Sequence, residues 1–191
     1  MPFDTASELI HARQTVMPKR LGTPGPDAQQ LEQILRAAAA APDHGQITPW
    51  RFIIVADSAR SKLADVFVQA LRARDSAASA EELSRAAEKA HRAPLLMLAV
   101  GARQTPDSAI NDVERLVSAG CAIQNMLLMA TALGFGSALT SGKALASPLM
   151  SVLFQLQGGE IPLCFISIGT AKSTKARTGR PLPNAFVSTL S

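Results

Sequence analysis

Aromatic residues make up only 4% of this 191-residue chain. Single-strand nucleic-acid binders need rings for bases to stack on and a basic groove beside them. The basic residues here are scattered, so the net charge of +4 reads as a mildly basic surface and no nucleic-acid partner is expected. Cysteine is almost absent too: Cys121 and Cys164 stand alone in apolar runs. Neither has a histidine or second cysteine at metal-ligand spacing, because the three histidines are His11, His44 and His91. A structural zinc site is thereby excluded, and two buried free thiols in a reducing, cytoplasmic setting are expected. No charged start followed by an apolar core marks a signal peptide. The longest apolar stretch, Leu116 to Leu133, is interrupted by Ser118, Gln124 and Asn125, so no membrane span is expected. Nucleotide fingerprints are missing as well. Gly134-Phe135-Gly136 lacks the strand-to-helix setting of a dinucleotide loop, and there is no P-loop and no G-x-S-x-G elbow.

Apolar residues make up 47% and charged residues 18%, the balance of a globular chain. The length suits one domain over residues 1–191, long enough for a real core. Asp4 or Thr5 is placed to cap a first helix ending near Ala12. Met17 to Pro26, rich in Pro and Gly, reads as a loop. Asp27 caps a second helix with Leu31, Ile34, Leu35 and Ala38 on one face. Phe52 to Ala56 reads as a strand. Ser58 is placed to cap a third helix carrying Leu63, Val66, Phe67 and Leu71, and Glu81 to Lys89 reads as a charged, exposed helix. Pro94 to Val100 is a continuous apolar strand covered on both faces. After a loop over Gly101 to Ser108, a long helix from Asn111 to Leu133 is apolar around most of its circumference. Ser137 to Leu139 suits a short strand, Ser147-Pro148 opens another helix, and Ile161 to Ile168 is a third apolar strand. Separated helices and strands of this kind make an α+β pattern.

Two polar segments stand out. Arg13-Gln14-Thr15 offers a guanidinium fork and a hydroxyl, the pair that suits a phosphate, against the plain alternative of a surface charge. Ala41-Pro42-Asp43-His44-Gly45-Gln46-Ile47-Thr48-Pro49-Trp50 turns from the second helix into a strand. It gathers His44, Gln46 and Thr48 on a loop, where binding groups commonly sit, although a histidine in a turn is often only structural.

These segments resemble FMN-dependent nitroreductases, and the small bacterial NAD(P)H nitroreductases in particular. Arg13-Gln14-Thr15 is similar to that family's Arg-Arg-Ser. Ala-Pro-Asp-His followed by Pro-Trp is a second likeness. Ser118 to Asn125 leading to Leu133-Gly134-Phe135-Gly136 is a third, and Ser141-Gly142 before the strand ending Ile168-Gly169-Thr170 is a fourth. Their order covers nearly the whole chain. The resemblance implies an α+β fold with a central mixed or antiparallel sheet flanked by helices, and a homodimer with FMN sites built from both subunits. It implies ping-pong chemistry, with NAD(P)H as a transient co-substrate and a nitroaromatic, quinone or similar small molecule as acceptor.

The implied FMN contacts are Arg13, Gln14, Thr15, His44, Leu139, Thr140, Ser141 and Arg180. The last belongs to a basic tail with Lys172, Lys175 and Arg177. No protein residue is assigned as an obligatory acid, base or nucleophile, because the cofactor carries the reaction. Departures are visible. Gln14 stands where the family has arginine, Leu139-Thr140 where relatives carry Trp-Arg, and Ala40 where close relatives carry arginine. The Leu139-Thr140 change keeps open an alternative: a flavin-binding sensor or storage protein with weak turnover.

Overall fold

The computed structural model describes residues 2–103, 109–173 and 179–190. The tail residues Lys175 and Arg177 and the end of the Gly101–Ser108 loop lie outside them. The described elements are helices α1 (Pro2–Ala12), α2 (Ala28–Ala39), α3 (Asp57–Arg74), α4 (Ala80–Glu88), α5 (Asp112–Ala132) and α6 (Pro148–Leu153). The strands are β1 (Leu21–Gly22), β2 (Trp50–Ile54), β3 (Leu95–Ala102), β4 (Gly136–Thr140) and β5 (Glu160–Ala171).

The five strands form one sheet, and every strand pair is antiparallel. β3 lies between β2 and β5. The far edge of β5 is long enough to pair with β4 over Phe165–Gly169 and then with β1 at Thr170 and Ala171. Alternate residues of the central strands face opposite layers. Met97, Ala99, Ile166 and Ile168 pack under α2 and α5, where Ile34, Ala122, Met126 and Ala130 meet them. Leu96, Leu98, Val100 and Phe165 face Leu63 and Phe67 of α3, Ala86 of α4 and Met150 of α6. Both faces of the sheet are covered, which is why β3 is apolar without alternation. The second layer is keyed by Phe165, whose ring meets Phe67 at 5.6 Å and Phe154 at 5.9 Å between centroids, both edge-on.

Local signals set most boundaries. The Asp27 carboxylate accepts from Gln30 N at 2.8 Å, and Gln30 Oε1 accepts from Asp27 N at 3.0 Å, a reciprocal cap that starts α2. Ser79 and Glu82 do the same for α4. Asn111 Oδ1 accepts from Glu114 N at 3.0 Å and opens α5, which stops where Gly134 adopts φ +84°. Pro162 has no N–H to give the ladder, and there the β3–β5 register shifts between Ala99 and Val100.

Several boundaries differ from those expected. Helix α1 begins at Pro2, so Asp4 lies inside its first turn, where a carboxylate favours the helix dipole. Helix α3 is preceded by Ala56 rather than capped by Ser58, and Asp57 supplies the first-turn acid. Ser147 precedes α6 with Pro148 at its first position, but the serine side chain makes no capping bond. The Met17–Pro26 segment contains a 3-10 turn and β1, drawn into the sheet by the overhanging end of β5. Arg60 is buried yet purely structural in its contacts. Its Nη1 donates to Ala90 O at 2.7 Å and its Nη2 to Pro94 O at 3.1 Å, pinning the segment that leads into β3. That burial lowers its pKa from the ordinary guanidinium value.

Candidate active site

Thr15 and the start of β4 are far apart in sequence and adjacent in space. Leaving α1, the chain forms a single parallel bridge between Thr15 and Ser137, and Val16 N donates to Ser137 O at 2.8 Å. Val16 and Leu21 then pack as a small cluster beneath this junction. Arg13 and Thr15 are thereby held beside the start of β4, and Thr140-Ser141 lies at its end. Among the described residues, the side chains of Arg13, Thr15, Thr140 and Ser141 make no hydrogen bond or ion pair. Ser137 Oγ is buried and also has no partner. The Arg13 guanidinium and the Thr15 hydroxyl, left with open valence beside the start of β4, form a donor set that fits a phosphate-bearing group.

The strand pairing separates Leu139 from Thr140. Thr140 lies opposite Phe165 and Ala138 opposite Ser167, on the α3 side of the sheet. Leu139 lies opposite Ile166, on the α5 side, and is 43% exposed. Consecutive strand residues cannot share a face, so the two departures seen in sequence act in two different places.

Thr140 borders a cavity of about 450 Å³ between the sheet edge and the ends of α3 and α4. Its floor is apolar, built from Phe67, Leu71, Leu96 and Phe165, and Met17, Thr140 and Gly142 line it from the β4 side. Arg74, Lys89, Arg92 and Lys143 also line it, and among the described residues no carboxylate does. Sequence reading missed these four. They come from separate elements, and each in isolation resembles a solvated surface charge. The only hint was an excess of cations in a protein with no nucleic-acid footprint.

His44 is not part of this group. Its Nδ1 lies 2.6 Å from Glu114 Oε2 at the start of α5, and that hydrogen bond holds the Glu114 carboxyl below its usual range. The surrounding loop is tightly shaped. Gly45, Gln46 and Thr48 all have positive φ, at 71°, 53° and 45°. For β-branched Thr48 such a conformation costs on the order of 1–3 kcal/mol. The Asp43 carboxylate supports it by accepting from Thr48 N at 2.6 Å. Trp50, at the end of the loop, donates from Nε1 to Ser118 Oγ on α5 at 3.1 Å. Asp43, Glu114 and Ser118 therefore organise the loop, a role that depends on contacts 5 to 70 residues away. Ala40 ends α2 exposed, and Gln14 is half-buried after α1. Arg180 lies in an exposed C-terminal segment and makes no side-chain hydrogen bond or ion pair among the described residues.

Comparison with known proteins matches this arrangement to one family. The profile of the Nitroreductase family matches residues 11–170. A Haemophilus influenzae protein named "Putative NAD(P)H nitroreductase" is 32% identical over 162 residues, 85% of this chain and 87% of its own. YdjA of Escherichia coli K12, which carries the same description, is 32% identical over 182 residues, 94% of each chain. Among solved structures, a nitroreductase-like family protein from Bacillus cereus superposes with a TM-score of 0.80 at 19% identity, covering 96% of this chain and 95% of its own. An FMN complex from Desulfovibrio desulfuricans superposes with a TM-score of 0.72 at 22% identity, covering 96% and 95%. The likeness spans both the Arg13–Thr15 junction with β4 and the His44 loop, and the chain belongs to the nitroreductase family of oxidoreductases.

Proposed function

We propose that this protein is an FMN-dependent oxidoreductase that draws electrons from NAD(P)H and passes them to a nitroaromatic, quinone or similar small acceptor. It works as a homodimer of single-domain subunits. The observation that carries the reading is the Thr15–Ser137 bridge. It sets a guanidinium and a hydroxyl, without partners among the described residues, beside the start of β4, whose other end borders the cation-lined cavity. When bound, FMN supplies two-electron chemistry in two half-reactions, one with NAD(P)H and one with the acceptor. Arg13 and Thr15 hold the phosphate, with Gln14 offering an amide to the rest of the cofactor. Ser141 and the backbone around it border the ring, and Thr140 borders its cationic side. No side chain of the site is required as an acid, base or nucleophile.

His44 reaches a cofactor in this scheme from the second subunit, since within its own chain it is tied to Glu114 rather than to the Arg13 group. The surface supports such a partner. Phe3 and Ile10 of α1 are exposed, as are Val113, Leu116 and Val117 at the start of α5. So are Leu182, Phe186 and Val187 of the tail. Apolar side chains gathered on neighbouring elements mark an interaction surface, and α1 packs on α5. Arg180, at the base of the exposed tail, would join the phosphate site in the assembled dimer.

The test is titration of the purified protein with FMN, followed by NADH and NADPH oxidation with a nitro or quinone acceptor. Saturable quenching of FMN fluorescence and acceptor-dependent turnover are expected. Absence of saturable FMN binding overturns the cofactor assignment. Tight binding without turnover overturns the enzymatic one and leaves a flavin-binding sensor or storage role.

A further inference from the structure

A separate cavity, of about 430 Å³, opens where β1, the start of α3 and the segment before β3 meet. Among the described residues, none of β4 lines it. Arg60, His91, Arg92 and Lys172 do, and Asp57 is the one carboxylate among its described lining residues. Arg60 is 4% exposed. Its two Nη atoms are used by Ala90 O and Pro94 O, and its buried Nε has no hydrogen-bond partner. Asp57 Oδ1 comes no closer to that Nε than 3.9 Å, and the aspartate side chain is 99% exposed. A guanidinium is therefore held inside the protein without a carboxylate in contact, an arrangement that costs free energy. Helix stability does not account for it, because Arg60 stands in the first turn of α3, where a cation opposes the helix dipole. Lys172 is placed here by the fold. Its N donates to Arg20 O at 2.8 Å, and its stem crosses Gly22, where a Cβ would collide with Lys172 Cε. Among the described residues, the His91 and Lys172 side chains make no hydrogen bond or ion pair. The N-terminus of α3 has no side-chain cap, so its positive end adds to the same field.

We infer that this cavity binds a phosphate group, apart from the phosphate site proposed at Arg13 and Thr15. The inference does not depend on the FMN reading. Like charges gathered on one cavity repel, and a bound anion offsets that cost. Lys172 and Arg92 bring charged donors to the phosphate oxygens, and His91 brings a ring N–H. Arg60 acts through its charge alone, since its Nη atoms are taken and its Nε is enclosed. Leu21 and Pro94 give the same cavity apolar walls. A phosphate monoester can lay its organic part against them, and inorganic phosphate can use the cations by itself. The recognised chemistry is the same in both cases, and two probes separate the sources.

The experiment is calorimetric titration of the FMN-loaded protein, freed of excess FMN, with inorganic phosphate and separately with phenyl phosphate. The proteins are wild type, Lys172→Gln, His91→Gln, Asp57→Asn, and Lys62→Gln as a control. Lys62 is exposed on α3 and does not line the cavity. Arg60 is left intact, because its loss would also release Ala90 O and Pro94 O. Wild type should bind saturably. Lys172→Gln should bind about tenfold more weakly, the loss of one charge-assisted contact, and His91→Gln should also bind more weakly. Asp57→Asn should bind more tightly, because it removes the negative charge facing the anion, and the control should match wild type. Tighter binding of phenyl phosphate than of phosphate assigns the site to a monoester, and the reverse order assigns it to the free ion. If wild type shows no saturable binding of either probe, the inference is overturned. It is equally overturned if Lys172→Gln and Asp57→Asn both titrate as wild type does, since the anion then sits elsewhere. The FMN assignment survives either failure, because flavin titration tests it independently.

Discussion

Single side chains illustrate how position changes chemical meaning. Arg13 and Arg51 are the same residue type with opposite environments. Arg51 is satisfied internally, donating from Nε to Glu160 Oε1 at 2.6 Å and from Nη2 to Oε2 at 2.8 Å. That fork, with Gln157 N donating to Glu160 at 2.8 Å, keeps the Glu160 carboxyl below the usual range and raises Arg51 above its own. A depressed folded value means the pair stabilises the protein above the usual carboxylate pKa of about 4 and loses its contribution as pH falls below it. Glu160→Gln should therefore destabilise the protein by about 1 kcal/mol at neutral pH. Urea midpoints of the two proteins should converge in acid, and a constant gap across pH would contradict the assignment. Arg13, by contrast, has no partner among the described residues. A charge-assisted bond to phosphate is worth roughly 1.5–3 kcal/mol, so Arg13→Ala should weaken FMN about ten- to hundredfold. Riboflavin, which lacks the phosphate, should lose much less, and equal losses in parallel titrations would move Arg13 away from the phosphate. Cys164 shows burial acting alone: its thiol is pushed up to about 11, the mark of a packing residue and not of a nucleophile.

Elements carry a different kind of information. The cap of α2 was legible because it is made within four residues of chain, Asp27 with Gln30; pairs equally short in range, Ser79 with Glu82 and Asn111 with Glu114, start α4 and α5. Replacing Asp27 by Ala should cost about 1 kcal/mol, as loss of a side-chain cap does, read as a lower unfolding midpoint with unchanged FMN affinity. The start of α3 was misplaced because no side chain caps it; a first-turn aspartate and the packing of Leu63 and Phe67 hold it instead. Where elements cross, the constraint is steric. A Cβ on Gly169 would lie 2.7 Å from Pro94 Cδ and 2.9 Å from Gly22 O. The oxygen belongs to backbone in the paired strand β1, so it cannot step aside as a flexible side chain would. Gly169→Ala should cost on the order of 1–3 kcal/mol through this overpacking, checked by thermal unfolding. A midpoint equal to wild type would mean that β1 is not held against β5 as described.

At the scale of the whole molecule, the proposed dimer rests on the exposed apolar residues of α1, α5 and the tail. The proposed dimer buries Val117, now 60% exposed, and Val113, now 69% exposed. Sedimentation at micromolar concentration should give about twice the chain mass of 20.1 kDa. Val117→Asp, which places a charge on that surface, should shift the protein toward monomer and lower FMN affinity together, since His44 is proposed to serve the partner's site. A monomeric wild type that binds FMN tightly would remove both the interface and the shared site.

The sequence alone determined the features that depend on near neighbours or on composition: helix starts made by local caps, the buried character of β3, the absence of a zinc-binding or nucleic-acid signature, and the motifs whose order resembles one family. Tertiary structure decided the rest. Thr15 meets Ser137 only because β4 returns along β5 to the end of α1, a pairing with no local signal. Leu139 and Thr140 are neighbours in chain but face opposite layers, since strand geometry alternates side chains. Arg74, Lys89, Arg92 and Lys143 look like dispersed surface charges in sequence and become one cationic cavity in the fold. Charge acts through space in three dimensions, and its range is set by distance and solvent rather than by position along the chain.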